Sequence, residues 1–268
     1  MKFYRGVALT VAGSDSGGGA GIQADLKTFA ALKVFGTTAV TAITAQNSLG
    51  VQGIHNVPPE ILEAQIESVL SDIAVDAVKT GMLSQKASIK CLCDALRRYE
   101  IETVVVDPVM VAQSGDELIG PEAVYSIQNE LLPLASLVTP NIPEAEKLCG
   151  INITDVKTME IAARKIYDLG PGAVLVKGGH MEGETVVDIL YSGEEIRKFI
   201  SPRINTSNTH GTGCTLSSAI AAEMSAGCGL NEAVSRAREY LILALENSFK
   251  PGRGYGPLGH AVKVGWVD

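Results

Sequence analysis

The sequence predicts an α/β protein built on a mostly parallel β-sheet with crossover helices. Three observations support this fold class. Short apolar runs alternate with helical patterns, polar residues follow the ends of the apolar runs, and no linker, repeat or low-complexity stretch interrupts the alternation. Strands of a parallel sheet are buried on both faces and connected by helices, and that arrangement produces such a pattern. We therefore expect a single domain over residues 1–268.

The N-terminal elements follow a strand, loop and helix order. An apolar run over 7–12 ends in the glycine-rich segment GSDSGGGAG, and apolar residues recur at helical spacing from Ile22 onward. The run over 37–46 predicts a second strand, and the segment over 51–57 is extended. A helix then begins after Pro59, because proline suits the first turn of a helix.

The middle of the chain repeats the same rhythm. Three short apolar runs, AVDAVKTGM, TVVVDPVM and LVTPNIPEAE, predict buried strands. The first runs to Met82, the second ends around Asp107, and the third leads into Glu144. Helical stretches such as Lys86 to Tyr99 separate these runs, as crossover connections require.

The C-terminal elements include a hairpin and two helices. A helix over 160–169 precedes the strand AVLVKGGH. The runs VVDILY and EIRKFI predict a β-hairpin joined at Ser192 and Gly193, because two short apolar runs flank a turn signal. A glycine-containing turn then leads into a helix that carries Cys214 in its first turn, and a helix over 231–247 follows.

The composition excludes several classes of protein. With 46% hydrophobic residues the chain has enough apolar material for a substantial core, which excludes disorder as the dominant state. A net charge of −8 with scattered Lys and Arg excludes a nucleic-acid backbone or an anionic membrane as the main partner. We therefore expect a small-molecule partner.

Hydropathy and cysteine usage indicate a cytoplasmic protein. No apolar run approaches the length of a membrane span, and the N-terminal run that imitates a signal peptide is cut short by Ser14 and Asp15. The five cysteines are an odd number, and Cys91 and Cys93 point in different directions of a helical pattern. Neither disulfides nor a metal cluster are indicated.

Polar and glycine residues collect at the ends of the predicted strands. In open parallel sheets, ligands bind outside the carboxyl ends of the strands, where the connecting loops converge. We expect a binding site at this edge of the sheet. The residues that follow predicted strands are Gly13, Gln46, Met82, Asp107, Asn141, Glu144 and Lys177.

The segment NTSNTHGTGCTLSSA predicts an anion site with a reactive group. Gly211 and Gly213 let the backbone bring several N–H groups onto one point, and the first amides of a helix are unpaired. The helix dipole would also bias Cys214 towards thiolate. The alternatives are an ordinary turn with a buried thiol, or a thiol hydrolase that pairs Cys214 with His210 and needs a third, orienting group.

The N-terminal glycine loop matches neither of two common nucleotide motifs well. The chain contains no GxxxxGK[ST] match, which a P-loop needs. A loose GxGxxA match starts at Gly19, but a dinucleotide site also needs an acidic residue closing the second strand, and that strand ends in Ala45-Gln46-Asn47. The loop could also be flexible, with glycines that serve only its turns.

The carboxylates and the lysine at the strand ends suggest phosphate chemistry. Asp107 and Glu144 beside an anion site are what a Mg²⁺–phosphate complex needs, and Lys177 supplies a positive charge. Each of these three could instead be a solvated surface residue. Gln46 offers one donor and one acceptor in a plane, although a routine polar strand end is the simpler interpretation.

Seven segments, taken in order, resemble the bacterial hydroxymethylpyrimidine/phosphomethylpyrimidine kinases of thiamine biosynthesis, members of the ribokinase-like superfamily. They are AGSDSGGGAGIQADLKTF, TAQNSLGV, KTGML, VDPVM, TPNIPEAE, VKGGH and NTHGTGCTLSSA, and they span Val7 to about Gly227. The resemblance implies a three-layer α/β/α fold, usually dimeric. It also implies that ATP·Mg²⁺ phosphorylates the hydroxymethyl group of the pyrimidine and then the monophosphate.

The resemblance also implies roles for individual residues. Gly13, Asp25, Gln46, Met82 and Val109 would surround the pyrimidine. Asp107, Asn141 and Glu144 would organise Mg²⁺ and phosphates, whereas Lys177, Thr206 and Thr209 would contact ATP. The amides from Gly211 to Cys214 would form the anion hole, with Cys214 as the base.

Two positions distinguish this chain within the superfamily. Sugar kinases carry an aspartate base where this chain has Cys214, which argues against a sugar substrate, but some pyridoxal kinases share the cysteine. One carboxamide at Gln46 matches the NH₂ donor and ring-nitrogen acceptor of an aminopyrimidine, which a pyridine alcohol lacks. The alternatives are a pyridoxal kinase and a catalytically silent precursor-binding protein, and the presence of Cys214, Asp107 and Glu144 together argues against the latter.

Overall fold

The computed structural model describes residues 3–111 and 119–267, which build one nine-stranded β-sheet. Its strands are β1 (Val7–Asp15), β2 (Phe35–Asn47), β3 (Gly50–Asn56), β4 (Ala77–Thr80), β5 (Val104–Val106), β6 (Leu137–Val138), β7 (Val174–Val176), β8 (Thr185–Tyr191) and β9 (Ile196–Pro202).

The strand order is β3-β2-β1-β4-β5-β6-β7-β8-β9. The six strands from β2 to β7 in this order are parallel to their neighbours, whereas β3 pairs antiparallel with β2, and β8 pairs antiparallel with both β7 and β9. The predicted mostly parallel sheet and the predicted hairpin are confirmed. Because β1 leads outward to β2 on one side and β4 lies on its other side, the strand order reverses between β1 and β4.

Helices cover both faces of the sheet, which confirms the three-layer α/β/α arrangement. The helices are α1 (Gly21–Ala31), α2 (Pro59–Leu70), α3 (Lys86–Arg98), α4 (Pro121–Ser126), α5 (Ile142–Cys149), α6 (Val156–Tyr167), α7 (Thr212–Ser225) and α8 (Leu230–Glu246). Helices α2 to α6 pack in one apolar cluster, and α1, α7 and α8 pack in another on the opposite face. Among the described residues, none of the helices combines the length and the apolar character needed to cross a membrane.

The buried strands carry the β-branched residues that the pattern indicated. Val104, Val105 and Val106 alternate between the two apolar clusters, because successive side chains of a strand point to opposite faces of the sheet. All three are at most 1% exposed, so both faces of β5 are covered.

Several element boundaries differ from the prediction by a few residues, and two of these differences have an identifiable cause or consequence. Helix α6 begins at Val156 and not at residue 160, because Asp155 forms a capping box in which it accepts a hydrogen bond from the Thr158 amide at 2.7 Å. Strand β1 continues past Ala12, since Ser14 and Asp15 still pair with β2 beyond an irregularity. This extension carries Gly13 to Asp15 to the edge of the sheet where the ligand site was expected.

Candidate active site

A cavity of about 150 Å³, here called the inner cavity, opens at the carboxyl ends of β1, β4 and β5 and at the N terminus of α7. It lies where the strand order reverses, the usual ligand position in open α/β sheets. The predicted site residues that line it are Gly13, Gln46, Met82, Asp107, Val109, Asn141, Glu144, Lys177, Gly211, Gly213 and Cys214.

A larger cavity of about 510 Å³, the outer cavity, lies beside the first and reaches towards β8, β9 and α8. Thr209 lines this cavity but not the inner one. The two cavities share part of their walls, so a group bound in one can meet a group bound in the other there. The residues that line both are Val111, Asn141, Glu144, Lys177, Thr212 and Gly213.

Two glycines make room at the N terminus of α7. Gly211 caps the helix with a φ of 85°, and a Cβ atom there would lie 1.9 Å from the carbonyl oxygen of Gly19. A Cβ on Gly213 would lie 3.2 Å from Lys177 Nζ and 3.6 Å from Asp107 Oδ2. The backbone at the start of α7 therefore lies close to Lys177 and Asp107, and the N terminus of a helix is a suitable place for an anion.

Lys177 lies between two carboxylates, that of Glu144 in the shared wall and that of Asp107 in the inner cavity. Its Nζ donates to Asp107 Oδ1 at 2.9 Å and lies 4.0 Å from Glu144 Oε2. Although burial acts to lower it, Asp107 and Glu144 raise the pKa of Lys177 above its usual value. The lysine therefore remains a cation beside the anion site, as the sequence suggested.

Glu144 is held by the start of α5. Asn141 Oδ1 accepts from the Glu144 amide at 2.9 Å, and Glu144 Oε2 accepts from the Asn141 amide at 2.7 Å, which together form a capping box. Burial, and secondarily the neighbouring Asp107, raise the pKa of Glu144 to about 7. The carboxyl group is thus fixed in position and poised to change its charge near neutral pH.

Asp107 and Glu144 fit a Mg²⁺–phosphate complex better than a metal cage made by the protein alone. Among residues 3–111 and 119–267, no group of three or more His, Cys, Asp or Glu side chains could hold a metal ion. Magnesium is usually bound through one or two carboxylates together with substrate phosphates. A cation near Glu144 would favour the ionised form that burial disfavours.

Cys214 lies in the first turn of α7 and lines the inner cavity, where its side chain is partly buried. Burial raises the pKa of its thiol to about 11, although Lys79 and the Gly21 amide act to lower it. The expected bias towards thiolate is therefore wrong for this structure. Lys79 and the Gly21 amide do not offset the effect of burial and of the nearby carboxylates of Asp25 and Asp107.

Asp25 lies behind the inner cavity and not among its lining residues. It is completely buried, and its two oxygens accept from Lys79 Nζ at 2.9 and 3.0 Å, from Thr10 Oγ1 at 2.6 Å and from Ser218 Oγ at 2.5 Å. The resemblance implied that Asp25 surrounds the pyrimidine, but the structure does not place Asp25 on the cavity wall. Its carboxylate instead holds Lys79, which does line the cavity and which the sequence reasoning missed.

Asp15 organises the glycine loop between β1 and α1. Its carboxylate accepts the amides of Gly17, Gly19 and Ala20 at 2.7 to 3.0 Å, and its Oδ2 lies 2.9 Å from His210 Nε2. Although burial acts to raise it, His210 and these amides lower the pKa of Asp15 below its usual value. His210 is therefore paired with Asp15, which removes the reason to pair it with Cys214 in a thiol hydrolase.

The remaining predicted residues are divided between the cavities and the surrounding structure. Gln46 forms part of the inner cavity with its Nε2 3.5 Å from His210 Nε2, and Met82 and Val109 supply apolar surface. Thr206 lines neither cavity. Its hydroxyl lies 3.1 Å from Ser248 Oγ and accepts from the Asn208 amide, so it orders the segment that leads to α7.

Comparison with protein families and curated proteins gives consistent matches. Residues 15–259 match the family model of phosphomethylpyrimidine kinase. The hydroxymethylpyrimidine/phosphomethylpyrimidine kinase of Rhizobium meliloti is 50% identical over 95% of this chain and 96% of its own length. The thiamine biosynthesis bifunctional protein ThiED of Geobacter sulfurreducens is 53% identical over 96% of this chain, which spans 53% of that longer protein.

Solved structures with the same architecture include two kinds of kinase. The ADP complex of Bacillus subtilis pyridoxal kinase superposes with a TM-score of 0.90 at 40% identity, over 96% of this chain and 97% of its own. The phosphomethylpyrimidine kinase of Clostridium difficile superposes with a TM-score of 0.79 at 44% identity, over 88% and 97% of the two chains. The same architecture therefore occurs in kinases named for two different substrates.

Proposed function

Because this chain belongs to the phosphomethylpyrimidine kinase family, we infer that it is a kinase of thiamine biosynthesis that phosphorylates 4-amino-5-hydroxymethyl-2-methylpyrimidine and then the resulting monophosphate. Its fold is that of the ribokinase-like kinases. ATP is the phosphate donor that this family membership implies, and related pyridoxal kinases have been seen with ADP and with AMP-PCP.

The observation that carries this proposal is the shared wall of the two cavities. An alcohol in the inner cavity and a nucleotide in the outer cavity would meet where Lys177 and Gly213 line both. Phosphoryl transfer is catalysed mainly by positioning and by neutralising charge. The N-terminal amides of α7 and the ammonium of Lys177 would supply both requirements at that point.

The inner cavity has features that suit an aminopyrimidine. Gln46 offers a planar pair of one donor and one acceptor, which can match the exocyclic amino group and the adjacent ring nitrogen. Met82 provides apolar contact for the ring, and it lies against Gly13, whose missing side chain leaves the space open.

Asp107 and Glu144 would hold Mg²⁺ together with the phosphates of the nucleotide, and Asn141 would support Glu144 through the capping box. The metal would neutralise charge on the transferred phosphoryl group. Thr209, which lines the outer cavity, would contact the nucleotide. Thr206 would act indirectly, through the segment it orders.

In the first phosphorylation, the hydroxymethyl oxygen forms a bond to the γ-phosphorus as the bond between that phosphorus and the leaving ADP oxygen breaks. The hydroxyl proton passes to the thiolate form of Cys214, whose side chain lines the same cavity. The amides of Gly211 to Cys214 stabilise the charge that develops on the transferred group. In the second phosphorylation the attacking oxygen belongs to an ionised phosphate, so no proton acceptor is needed.

Pyridoxal is a second candidate substrate, because pyridoxal kinases of known structure share the fold of this chain closely. A pyridine alcohol cannot make the paired hydrogen bonds that Gln46 offers, so the geometry favours the aminopyrimidine. We further propose that the chain forms one domain and acts in the cytoplasm, as its uninterrupted pattern and its cysteine usage indicate, and that it assembles as a homodimer, as the family resemblance implies.

The direct test uses purified protein with ATP, Mg²⁺ and each alcohol in turn, with the mono- and diphosphates resolved chromatographically. We expect conversion of hydroxymethylpyrimidine to the monophosphate and then to the diphosphate, with pyridoxal turned over more slowly. Turnover of pyridoxal without turnover of the pyrimidine would contradict the proposal.

A further inference from the structure

We propose that the Asp15–His210 pair fixes the orientation of the Gln46 side-chain amide, and thereby the orientation in which the inner cavity binds an aminopyrimidine. Asp15 and His210 would be positioning residues that act through Gln46. The inference rests on the proposed function, because it assigns to Gln46 the recognition of the aminopyrimidine edge.

The hydrogen on His210 Nε2 follows from its partner. Asp15 is ionised, since its pKa is below the usual value, so its carboxylate can only accept hydrogen bonds. Its Oδ2 already accepts the amides of Gly19 and Ala20 and lies 2.9 Å from His210 Nε2. Nε2 must therefore carry the hydrogen and donate it, whether the imidazole is neutral or charged.

The hydroxyl of Thr44 is the other neighbour of the Gln46 amide, and it also donates its hydrogen to another group. Thr44 Oγ1 donates to the Ser14 carbonyl oxygen at 2.8 Å and lies 3.2 Å from Gln46 Oε1. A hydroxyl has one hydrogen, and the shorter contact to Ser14 takes it. Thr44 Oγ1 therefore presents lone pairs to the Gln46 amide.

These two assignments determine which way the amide points. With Gln46 Nε2 3.5 Å from His210 Nε2 and Oε1 beside Thr44, a donor faces a donor and an acceptor faces an acceptor. Rotating the terminal amide by half a turn removes the donor–donor contact: Oε1 then faces the Nε2–H group of His210, whose hydrogen stays with Asp15 and attracts Oε1 only as a second acceptor, and Nε2 can donate to the Thr44 lone pairs. Oxygen and nitrogen of a carboxamide occupy nearly the same volume, so the hydrogen-bond network decides between the two orientations.

The orientation matters because each amide atom keeps one unused bond towards the cavity. One N–H remains to donate to the ring nitrogen, and one lone pair of Oε1 remains to accept from the amino group. The opposite amide orientation would exchange these two positions and favour a ring that is turned over. A turned ring would carry its hydroxymethyl group away from the N terminus of α7.

His210 is held in place independently of the amide. Its backbone amide donates to the Gly256 carbonyl oxygen at 3.1 Å, and its ring packs so closely on Gly19 that a Cβ there would lie 2.4 Å from His210 Cδ2. The ring therefore has little freedom to move towards another partner, and its Nε2–H group stays in one position beside the Gln46 amide.

The test compares two alcohols that differ in one group: the natural 4-aminopyrimidine and the same hydroxymethylpyrimidine without its amino group. The ratio of their kcat/KM values measures recognition of the amino group, and it cancels general damage to the phosphoryl-transfer site. The ratio is measured for the parent protein and for the His210→Leu, His210→Gln and Gln46→Leu variants, with melting temperatures recorded for each.

We expect His210→Leu to lower the preference for the aminopyrimidine about tenfold, towards the value of Gln46→Leu, because an amide without a fixed neighbour populates both orientations. His210→Gln restores an N–H donor near the position of Nε2 and should retain most of the preference. Thr44→Val, which removes the acceptor on the other side of the amide, should also lower it and supplies a second test if His210→Leu does not fold.

The outcomes separate this inference from the proposed function. A parent protein that turns over neither pyrimidine contradicts the proposed function. A parent protein that prefers the aminopyrimidine, with folded His210→Leu and Thr44→Val variants that keep the full preference, overturns the positioning role alone. An equal loss of preference in His210→Gln and His210→Leu also overturns it, because the donor at Nε2 would then not matter.

Discussion

Lys177 Nζ lies 2.9 Å from Asp107 Oδ1, and both side chains belong to the region where the two cavities meet. The pair joins the ends of β5 and β7, which are separated by β6 in the sheet. Glu144 adds a second carboxylate 4.0 Å from the same lysine. One cation therefore faces two buried carboxylates. The carboxylates are suited to bind the Mg²⁺ ion of a metal–phosphate complex.

Glu144→Gln should raise the Mg²⁺ concentration needed for half-maximal rate by about tenfold or more and should lower the maximal rate. The fold should be retained, because glutamine can replace glutamate in the capping box with Asn141. The measurement is the initial rate as a function of Mg²⁺ at saturating ATP. Glu122→Gln, an exposed change in the first turn of α4, is the matched control and should titrate like the parent. If the rate of Glu144→Gln depends on the Mg²⁺ concentration as the rate of the parent does, Glu144 is not part of the metal site.

Gly211→Ala should lower turnover in both phosphorylation steps by roughly 10²–10³-fold, the usual cost of losing one donor of an anion hole. The added methyl group would lie 1.9 Å from the Gly19 carbonyl oxygen, so the turn must move. Gly227→Ala at the other end of α7 is the control: its φ of 88° imposes a similar backbone strain, and nothing lies within 4 Å of the new methyl group. We expect Gly227→Ala to cost about 1 kcal/mol of stability and to keep its turnover. Equal turnover losses in the two variants would assign the effect to strain alone.

Lys79→Met should destabilise the protein by about 3–5 kcal/mol, because it leaves the Asp25 carboxylate buried without a counter-charge. Both side chains are 0% exposed. Although burial acts to lower it, Asp25 raises the pKa of Lys79, so the pair is charged in the folded state. The double variant Lys79→Met/Asp25→Asn should recover part of the loss, since no charge is then buried. Urea unfolding measures these differences, and a Lys79→Met variant as stable as the parent would contradict the account of the pair.

The pH dependence of the first phosphorylation should follow the thiol of Cys214. With a pKa raised to about 11 by burial, only the small thiolate fraction can accept a proton at neutral pH. This fraction grows about tenfold per pH unit below the pKa, so the rate of the first step should rise in proportion between about pH 8 and pH 10. Cys214→Asp carries a base that is already ionised in this range, and its rate should be level there. A parent rate that is level over the same range would exclude the thiolate as the base.

The arrangement of the sheet and most of the site could be predicted from the sequence, because both depend on local patterns. Apolar runs locate buried strands, and in parallel strands the residues that follow them converge on one edge of the sheet. Asp107, Glu144 and Lys177 were found in this way, and the structure brings all three to the inner cavity. The predicted start of α6 at residue 160 was too late, because the capping box of Asp155 and Thr158 begins the helix at Val156.

The errors concern properties that depend on distant parts of the chain. Asp25 lies 54 residues from Lys79 and 193 from Ser218, and no local pattern indicates that these side chains meet. The position of Cys214 in a helix predicted thiolate, yet the surrounding residues decide how much water reaches the sulfur. The pairing of His210 with Cys214 was only an alternative and was not adopted, and the structure pairs His210 with Asp15, which lies 195 residues away on β1.

The role of Cys214 as proton acceptor can be measured by following both phosphorylation steps in Cys214→Ser. A serine hydroxyl is a far weaker base than a thiolate, so we expect the first step to slow by about 10²–10⁴-fold. The second step should slow much less, because the attacking phosphate needs no base and the amides of α7 remain. Quenched time courses that start from the alcohol and from the monophosphate give the two rates separately. Equal losses in the two steps, or a first step as fast as in the parent, would contradict the role of Cys214 as proton acceptor.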